Sequence, residues 1–184
     1  MKLFFVLSLL VLTSCSQVQT RDVGPFPGSQ SIEILKPSPA RSDVFRTASS
    51  IKLIQDSVRV ANCVVRSEDF LQEISRFPKY DFTTLSPGAV ADAYRSIKPI
   101  QVSSYQTRNP FSKVLATTYS TDRETLYINT RKFPRSLPSV VNTIIHEAGH
   151  LINFSHGNNS SVGKENSVNY RVGSIAETHT QKCI

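Results

Sequence analysis

The residues best suited to chemistry form one short motif, His146-Glu147-Ala148-Gly149-His150. On a helix, residues four apart lie one turn apart on the same face, so the imidazoles of His146 and His150 can bind one metal ion. Glu147 lies beside this pair, where a carboxylate can accept a proton from water bound to the metal. The motif therefore predicts the metal centre of a hydrolase with Glu147 as its general base.

A third histidine, His156, follows His150 by six residues. A continued helix would rotate His156 about 120° away from the first two histidines, so the chain has to turn for it to reach the same ion. Asn153 lies where that turn is needed, and Asn is the residue after Gly that best tolerates a left-handed helix terminus. We therefore predict that His146, His150 and His156 bind one Zn²⁺ and leave one coordination position open to water.

The pattern His-Glu-x-x-His-x-x-Asn-x-x-His resembles the metal-binding motif of the metzincin zinc peptidases, which usually have Gly at the position of Asn153. Residues 166–170 are similar to the turn that some of these enzymes form beneath the metal, with Val168 in place of a Met. The resemblance implies a zinc peptidase in which Tyr170 contacts the metal or the oxyanion. The alternative is a structural Tyr170 that packs in the lower lobe of the domain.

Apolar residues at helical spacing predict a helix over 138–152 that carries both histidines of the motif. The histidines project almost opposite the apolar face of this helix, so they face a cleft or a second lobe and not the core. Two shorter helices are predicted over 67–77 and 87–96, and each begins with a residue typical of helix starts. A closing helix is predicted from Ile175 toward Cys183.

Alternating apolar and polar residues predict a strand over 58–65, and three further strands are predicted over 100–105, 114–119 and 125–129. Thr121 and Asp122 can turn the last two strands into a hairpin. The predicted fold class is α+β, with a twisted sheet and its edge hairpin packed on helices, one of which binds zinc. The resemblance to metzincins further implies a small C-terminal lower lobe that contains the closing helix.

Two residues near the C-terminus have other candidate roles. Glu177 follows His150 by 27 residues, a separation at which gluzincin-type peptidases supply a Glu ligand. Ser174 and Glu177 also have the Ser-x-x-Glu spacing of a helix capping box, in which the Glu bonds to the backbone, and we favour this structural role. His179 is predicted to be a surface residue of the closing helix.

The N-terminus has the features of a lipoprotein signal peptide over residues 1–14. One Lys precedes a short apolar run that is far below the roughly 20 residues needed to span a bilayer. The sequence Leu-Thr-Ser-Cys at 12–15 resembles the bacterial lipobox, which implies lipidation of Cys15. The Ser after Cys15 resembles the pattern of proteins sent to the outer membrane of Gram-negative bacteria. The alternative is an ordinary secretory signal with an incidental Cys.

Residues 15–45 are polar and contain several Pro and Gly residues, which predicts a flexible, lipid-anchored tether. Residues 46–184 have the length of one domain and form the predicted metallopeptidase domain. The lipid on Cys15 would hold this domain in the periplasm or on the cell surface.

Cys63 and Cys183 are the two cysteines that remain beyond the predicted lipidation site. Outside the cytosol, such a pair favours a disulfide over a metal site. Two free thiols are the alternative.

The 184-residue chain has a net charge of +7, but its Lys and Arg residues are scattered and not gathered in one stripe. Nucleic acid is therefore not a predicted partner. The expected partners are a protein or peptide substrate and the membrane, and the domain is expected to be a monomer.

These observations together predict a zinc-dependent endopeptidase that hydrolyses peptide bonds in the bacterial envelope. An extended substrate is expected to pair with the predicted strand 125–129, which precedes the zinc-binding helix. The alternatives are a lipoprotein that binds zinc without catalysis and an amidase that acts on peptidoglycan peptides.

Overall fold

The computed structural model describes residues 35–37, 48–107, 109–157 and 164–184. The predicted signal peptide and Cys15 lie outside the described residues. The predicted tether also lies outside them, except for Leu35–Pro37, whose backbone forms the first strand of the sheet.

The described residues form one sheet and five α-helices, which confirms the α+β class. The strands are β1 (Leu35–Pro37), β2 (Ile100–Tyr105), β3 (Ala116–Tyr119) and β4 (Asp122–Asn129). The helices are α1 (Ala48–Arg66), α2 (Glu68–Arg76), α3 (Pro87–Arg95), α4 (Leu137–Leu151) and α5 (Val168–His179). No helix in the described part of the chain is long and apolar enough to cross a membrane.

The strands are arranged in the order β1-β2-β4-β3. Strand β2 pairs in parallel with β1 and with β4, whereas β3 pairs antiparallel with β4. The predicted hairpin is therefore confirmed, and its strands are connected by residues 120 and 121. Strand β3 forms one outer edge of the described sheet.

The prediction that residues 125–129 offer an edge to a substrate is wrong. These residues lie in β4, whose two sides are occupied by β2 and β3. The outer edge at this end of the sheet belongs to β3 instead. A local sequence pattern identifies a strand but not its neighbours, because strand order depends on how the whole chain folds.

The predicted strand over 58–65 is also wrong, because these residues lie within helix α1. Buried side chains of α1 recur at intervals of three and four residues, the period of a helix face: Ile54, Val58, Ala61 and Val65. Val60 and Val64 are fully buried as well. Because the helix is buried on more than one side, apolar residues also occur at alternating positions. This alternation is typical of a strand, so the sequence pattern indicates the wrong element.

Helix α5 begins at Val168, so the predicted start of the closing helix at Ile175 lies inside it. The capping box predicted for Ser174 and Glu177 is wrong for the same reason, because a capping box forms at a helix start. The Glu177 carboxylate instead accepts a hydrogen bond from the side-chain amide of Asn142 in α4 (2.7 Å).

The C-terminal end of the chain is attached to α1 and α2. The predicted disulfide is confirmed, with the Sγ atoms of Cys63 and Cys183 2.00 Å apart. His179, predicted to be on the surface, is instead buried. Its Nε2 atom lies 2.8 Å from a carboxylate oxygen of Glu73, and its ring packs edge-on against Phe70. These contacts fix α5, which packs directly on α4.

Candidate metal centre

Helix α4 carries the motif histidines on the side that faces a cleft. Ser136 precedes the helix, and its Oγ atom accepts a hydrogen bond from the backbone N–H of Ser139 (3.3 Å). The other side of the helix is buried in the core through Val140, Val141, Ile144, Ile145 and Ala148. Burial of that side sets the rotation of α4 and directs His146 and His150 into the cleft, as the sequence predicts.

The chain reverses at Asn153, whose φ of 71° lies in the left-handed region. The backbone N–H of Asn153 donates to the carbonyl of His150 (3.1 Å). The next N–H, that of Phe154, donates to the carbonyl of Gly149 (2.9 Å). This pair of hydrogen bonds is the Schellman motif that commonly ends a helix. The turn expected at Asn153 is therefore confirmed, and it brings His156 back toward the helix.

The three histidines of the sequence motif lie together. Each offers a ring nitrogen, and these three atoms lie within 4.8 Å of one another. The ring centroids are 5.2 Å apart for His146 and His150, and His156 lies 5.1 Å from the first and 4.8 Å from the second. The histidines are therefore close enough to bind one metal ion. Glu177, the rival ligand considered from the sequence, is not part of this group.

Backbone carbonyls fix two of the rings. The Nδ1 atom of His150 lies 3.0 Å from the carbonyl oxygen of Phe154, and that of His156 lies 2.9 Å from the carbonyl oxygen of Gly157. A carbonyl oxygen only accepts hydrogen bonds, so Nδ1 carries the hydrogen in each ring and a neutral ring keeps a lone pair on Nε2. Metal-binding histidines are almost always held in this way.

The Nε2 atoms of His150 and His156 lie 3.1 Å apart. Two nitrogen lone pairs at this distance repel each other unless a cation or a proton lies between or beside them. The backbone of Asn169 acts on the third ring, that of His146, and raises its pKa, although burial lowers that pKa more. The donor set and its tautomers therefore fit a metal ion bound through imidazole nitrogens.

The surroundings keep two of the histidines neutral. Burial, together with the nearby His150 and His156, lowers the pKa of His146 to about 3. Burial also lowers the pKa of His150. Neutral imidazole is the form that binds metal, so these two side chains do not have to lose a proton at neutral pH before they bind.

Glu147 lines the same cleft, although only 9% of its surface is exposed. Burial raises the pKa of its carboxyl group to about 7. A carboxyl group with a pKa near neutrality exchanges its proton readily at pH 7, which suits a general base that later acts as an acid.

Tyr170 lies in the first turn of α5 and also lines the cleft. Its ring centroid is 4.6 Å from that of His146 and 4.9 Å from that of His156, with both pairs edge to face. The Lys164 ammonium lies 5.9 Å from the centroid of the Tyr170 ring. Tyr170 therefore packs directly against two of the three histidines.

Asn169 connects α5 to the motif helix, a role that the sequence does not predict. This residue is fully buried, and its Nδ2 atom donates to the carbonyl of His146 (3.0 Å). The helices approach closely at Gly149, where a Cβ atom would lie 2.7 Å from Asn169 Nδ2 and 2.7 Å from Tyr94 Oη. The Gly inside the motif is thus a sequence signal for a close contact, but it does not identify the partner.

The histidines and Glu147 open onto a cleft of about 990 Å³. Strand β3 and the residues just before it, 113–115, form one wall of this cleft. Residues of α4 and α5 line the other side. An edge strand, three histidines and a buried carboxylate therefore share one open cavity large enough for a segment of polypeptide.

Comparison with known proteins found no matching family model, no matching curated protein and no matching solved structure. The function of this chain is therefore inferred from the chemistry of the cleft.

Proposed function

We propose that this protein is a zinc-dependent endopeptidase whose ligands are His146, His150 and His156. The observation that carries the proposal is the convergence of three imidazoles beside a buried carboxylate in an open cleft. Three protein ligands and an open position are typical of catalytic zinc sites, whereas structural zinc sites usually have four protein ligands.

When bound, zinc would lower the pKa of a water molecule and polarise the carbonyl group of the substrate. Glu147 accepts the proton of the attacking water and then donates it to the leaving amine. The raised pKa of Glu147 supports both transfers, because the carboxyl group gains and loses a proton near neutral pH. The hydroxyl group of Tyr170 donates a hydrogen bond to the oxyanion that forms at the carbonyl carbon.

Strand β3 is the proposed binding edge for an extended substrate. It lies at the edge of the sheet, pairs antiparallel with β4 and lines the cleft along its whole length. A peptide that pairs with this edge places its backbone alongside the three histidines, and main-chain hydrogen bonds provide affinity for many sequences.

We further propose that the domain is a metzincin-like peptidase. The motif from His146 to His156 supports this, as do the left-handed residue at Asn153 and an edge strand beside the metal ligands. Val168, at the position of the metzincin Met, is buried with 1% of its surface exposed. An apolar side chain therefore occupies this position, although it is not a Met.

The proposed location is the outer membrane of a Gram-negative bacterium, where Cys15 carries a lipid and the domain faces the periplasm or the outside. The lipobox-like sequence at 12–15 supports this location. In this setting the substrate is an envelope protein or peptide.

The experiment that tests the function compares the wild-type domain with Glu147→Gln. Both proteins are loaded with zinc, their metal content is measured, and they are incubated with casein. We expect both to bind one zinc ion per chain and the variant to cleave at least about 100 times more slowly. Glu165→Gln is the matched control, because Glu165 also lines the cleft but is exposed.

Equal cleavage by wild type and Glu147→Gln would contradict the assigned base. Zinc binding without cleavage of casein or of purified cell wall would instead favour a non-catalytic zinc protein. Cleavage of cell wall alone would favour the amidase.

A further inference from the structure

The first turns of α4 contribute only polar side chains to the cleft lining, and further polar residues from neighbouring segments also line it. These residues come from the segment before α4, from its first turns and from α5: Arg135, Ser139, Asn142, Thr143 and Ser174. A cleft wall of this composition suits a polar or charged group better than an apolar side chain.

The guanidinium of Arg135 is held against α4 through a single nitrogen, whose two hydrogens are shared among three acceptors. Its Nη2 atom donates to the backbone carbonyl of Ser139 (2.7 Å), to the Ser139 hydroxyl (2.8 Å) and to the Thr143 hydroxyl (2.6 Å). These contacts fix the plane of the guanidinium relative to α4. Arg135 is therefore positioned before any ligand arrives.

The second terminal nitrogen of Arg135, Nη1, is buried and has no hydrogen-bond partner among the described residues. A buried donor without an acceptor is unfavourable, and in native proteins such groups often have a functional reason. Arg135 also forms no ion pair within 4 Å in the described part of the chain. The nearby Glu177 attracts it only at longer range, and one oxygen of that carboxylate accepts a hydrogen bond from Asn142.

The other charges of the cleft do not neutralise Arg135. Three more cations line the cavity, namely Lys113, Arg123 and Arg171, against the carboxylates of Glu147 and Glu165. Glu147 is almost fully buried, and the four cations of the lining outnumber its two carboxylates. The cleft is therefore basic, which favours an anionic ligand.

We propose that Arg135 binds a carboxylate of the substrate, so that the enzyme prefers acidic peptides. The inference rests on the proposed peptidase function. Thr143, which holds Arg135, precedes Glu147 by four residues, or about 6 Å along the helix. The carboxylate therefore belongs to a residue close to the scissile bond. A carboxylate accepts hydrogen bonds from a guanidinium in a fixed geometry that an amide matches poorly.

The test uses fluorescein-labelled dodecapeptides of Ala, Leu and Ser with one Glu placed at successive positions. Each has a twin with Gln at the same position, and each is made with an amidated and with a free C-terminus. Binding to the zinc-loaded protein is measured by fluorescence anisotropy for wild type, Arg135→Gln, Arg135→Lys and the control Arg131→Gln. Arg131 is exposed and lies outside the cleft lining.

We expect wild type and Arg131→Gln to bind the Glu peptide about tenfold more tightly than its Gln twin at one or two positions. Arg135→Gln should bind both equally, and Arg135→Lys should keep part of the preference, because it keeps the charge without the planar fork. A preference for the free C-terminus over the amide, also lost in Arg135→Gln, would identify the terminal carboxylate as the ligand. Circular dichroism checks that the variants are folded. If Arg135→Gln does not fold, the peptide preference of Arg135→Lys decides the test.

Equal binding of every Glu and Gln pair by wild type, without a preference for the free C-terminus, would overturn the inference. An acidic preference that survives in both Arg135 variants would also overturn it. Selective binding without cleavage would contradict the peptidase and leave the carboxylate site intact. Glu147-dependent cleavage without an acidic preference would support the peptidase and contradict the carboxylate site.

Discussion

The Nε2 atoms of His150 and His156 lie 3.1 Å apart, although a complete reversal of the chain separates the two residues. The reversal depends on one residue, Asn153, in the left-handed conformation. The two rings are then fixed by carbonyls that follow the turn, those of Phe154 and Gly157. The end of helix α4 is thus both a helix terminus and the framework of the histidine cluster.

The site also depends on the packing of α5 against α4. Asn169 binds the carbonyl of His146, and the next residue, Tyr170, packs against the His146 ring. Both contacts come from the first turn of α5, which is anchored at its other end by the disulfide of Cys183. The cluster of three histidines is therefore built by two helices and one turn.

Replacement of His156 by Ala is expected to weaken zinc binding by more than about 100-fold. Loss of residues that merely support a ligand already weakens metal binding by about 10- to 100-fold, so loss of a ligand should exceed this range. Competition with a chelator of known affinity measures the effect. The control is Arg131→Gln, at an exposed residue outside the cleft lining, which should keep wild-type affinity. Equal affinities of His156→Ala and wild type would contradict the assignment of His156.

Replacement of Asn153 tests the left-handed turn. Asn153→Gly should be close to neutral in stability, since Gly adopts positive φ without strain, although it loses the hydrogen bond from Arg123 to the Asn153 side chain. Asn153→Ala loses the same hydrogen bond and should in addition lower the free energy of unfolding by about 1–2 kcal/mol. Denaturant titration measures both variants. Equal stabilities for Gly and Ala would show that backbone strain at this position is unimportant.

The features that the sequence predicts correctly are those that depend on nearby residues. The amphipathic pattern of α4, the spacing of its histidines and the conformational tolerance of Asn153 all act over a few positions. The disulfide of Cys63 and Cys183 is the exception, because it is predicted across a long separation. It could be predicted because, beyond the proposed lipidation site, the chain has no other Cys.

The features that the sequence predicts wrongly depend on the tertiary fold. Helix α1 is buried on more than one side, so its apolar pattern matches a strand as well as a helix. Strand β3 lies at the edge of the sheet because β4 lies between it and β2. The roles of Asn169 and Arg135 require α5 and the cleft to be in place, and no local spacing indicates them.

Replacement of Gly149 by Ala tests the close contact between α4 and its neighbours. The added methyl group would lie 2.7 Å from buried atoms of Asn169 and Tyr94, so we expect a loss of stability of about 1–3 kcal/mol and weaker zinc binding. The control is Gly88→Ala in α3, where the nearest atom is 4.0 Å away. That variant should be neutral or more stable by about 0.5–1 kcal/mol. Thermal and denaturant unfolding compare the two, and an unaffected Gly149→Ala protein would contradict the contact.

Removal of the disulfide is expected to lower the free energy of unfolding by about 2–5 kcal/mol. The bridge closes a loop of 120 residues and connects α1 to the end of the chain. Cys63→Ser with Cys183→Ser should show this loss in denaturant titration, and reduction of the wild-type protein should reproduce it. A double variant as stable as the oxidised wild type would show that the bridge contributes little to stability.

Replacement of Tyr170 by Phe separates its two candidate roles. If the hydroxyl group stabilises the oxyanion, Tyr170→Phe should lower kcat by about 100- to 1,000-fold and leave KM and zinc affinity nearly unchanged. If the ring only packs against His146 and His156, Phe preserves the packing and kcat should stay within about twofold of wild type. Tyr119→Phe is the matched control, because Tyr119 lines the cleft from β3 and packs on Tyr127 instead of a histidine. Steady-state kinetics on one peptide, with zinc content measured in parallel, distinguishes the two outcomes, and a fall in kcat shared by both variants would rule out a specific role for the Tyr170 hydroxyl.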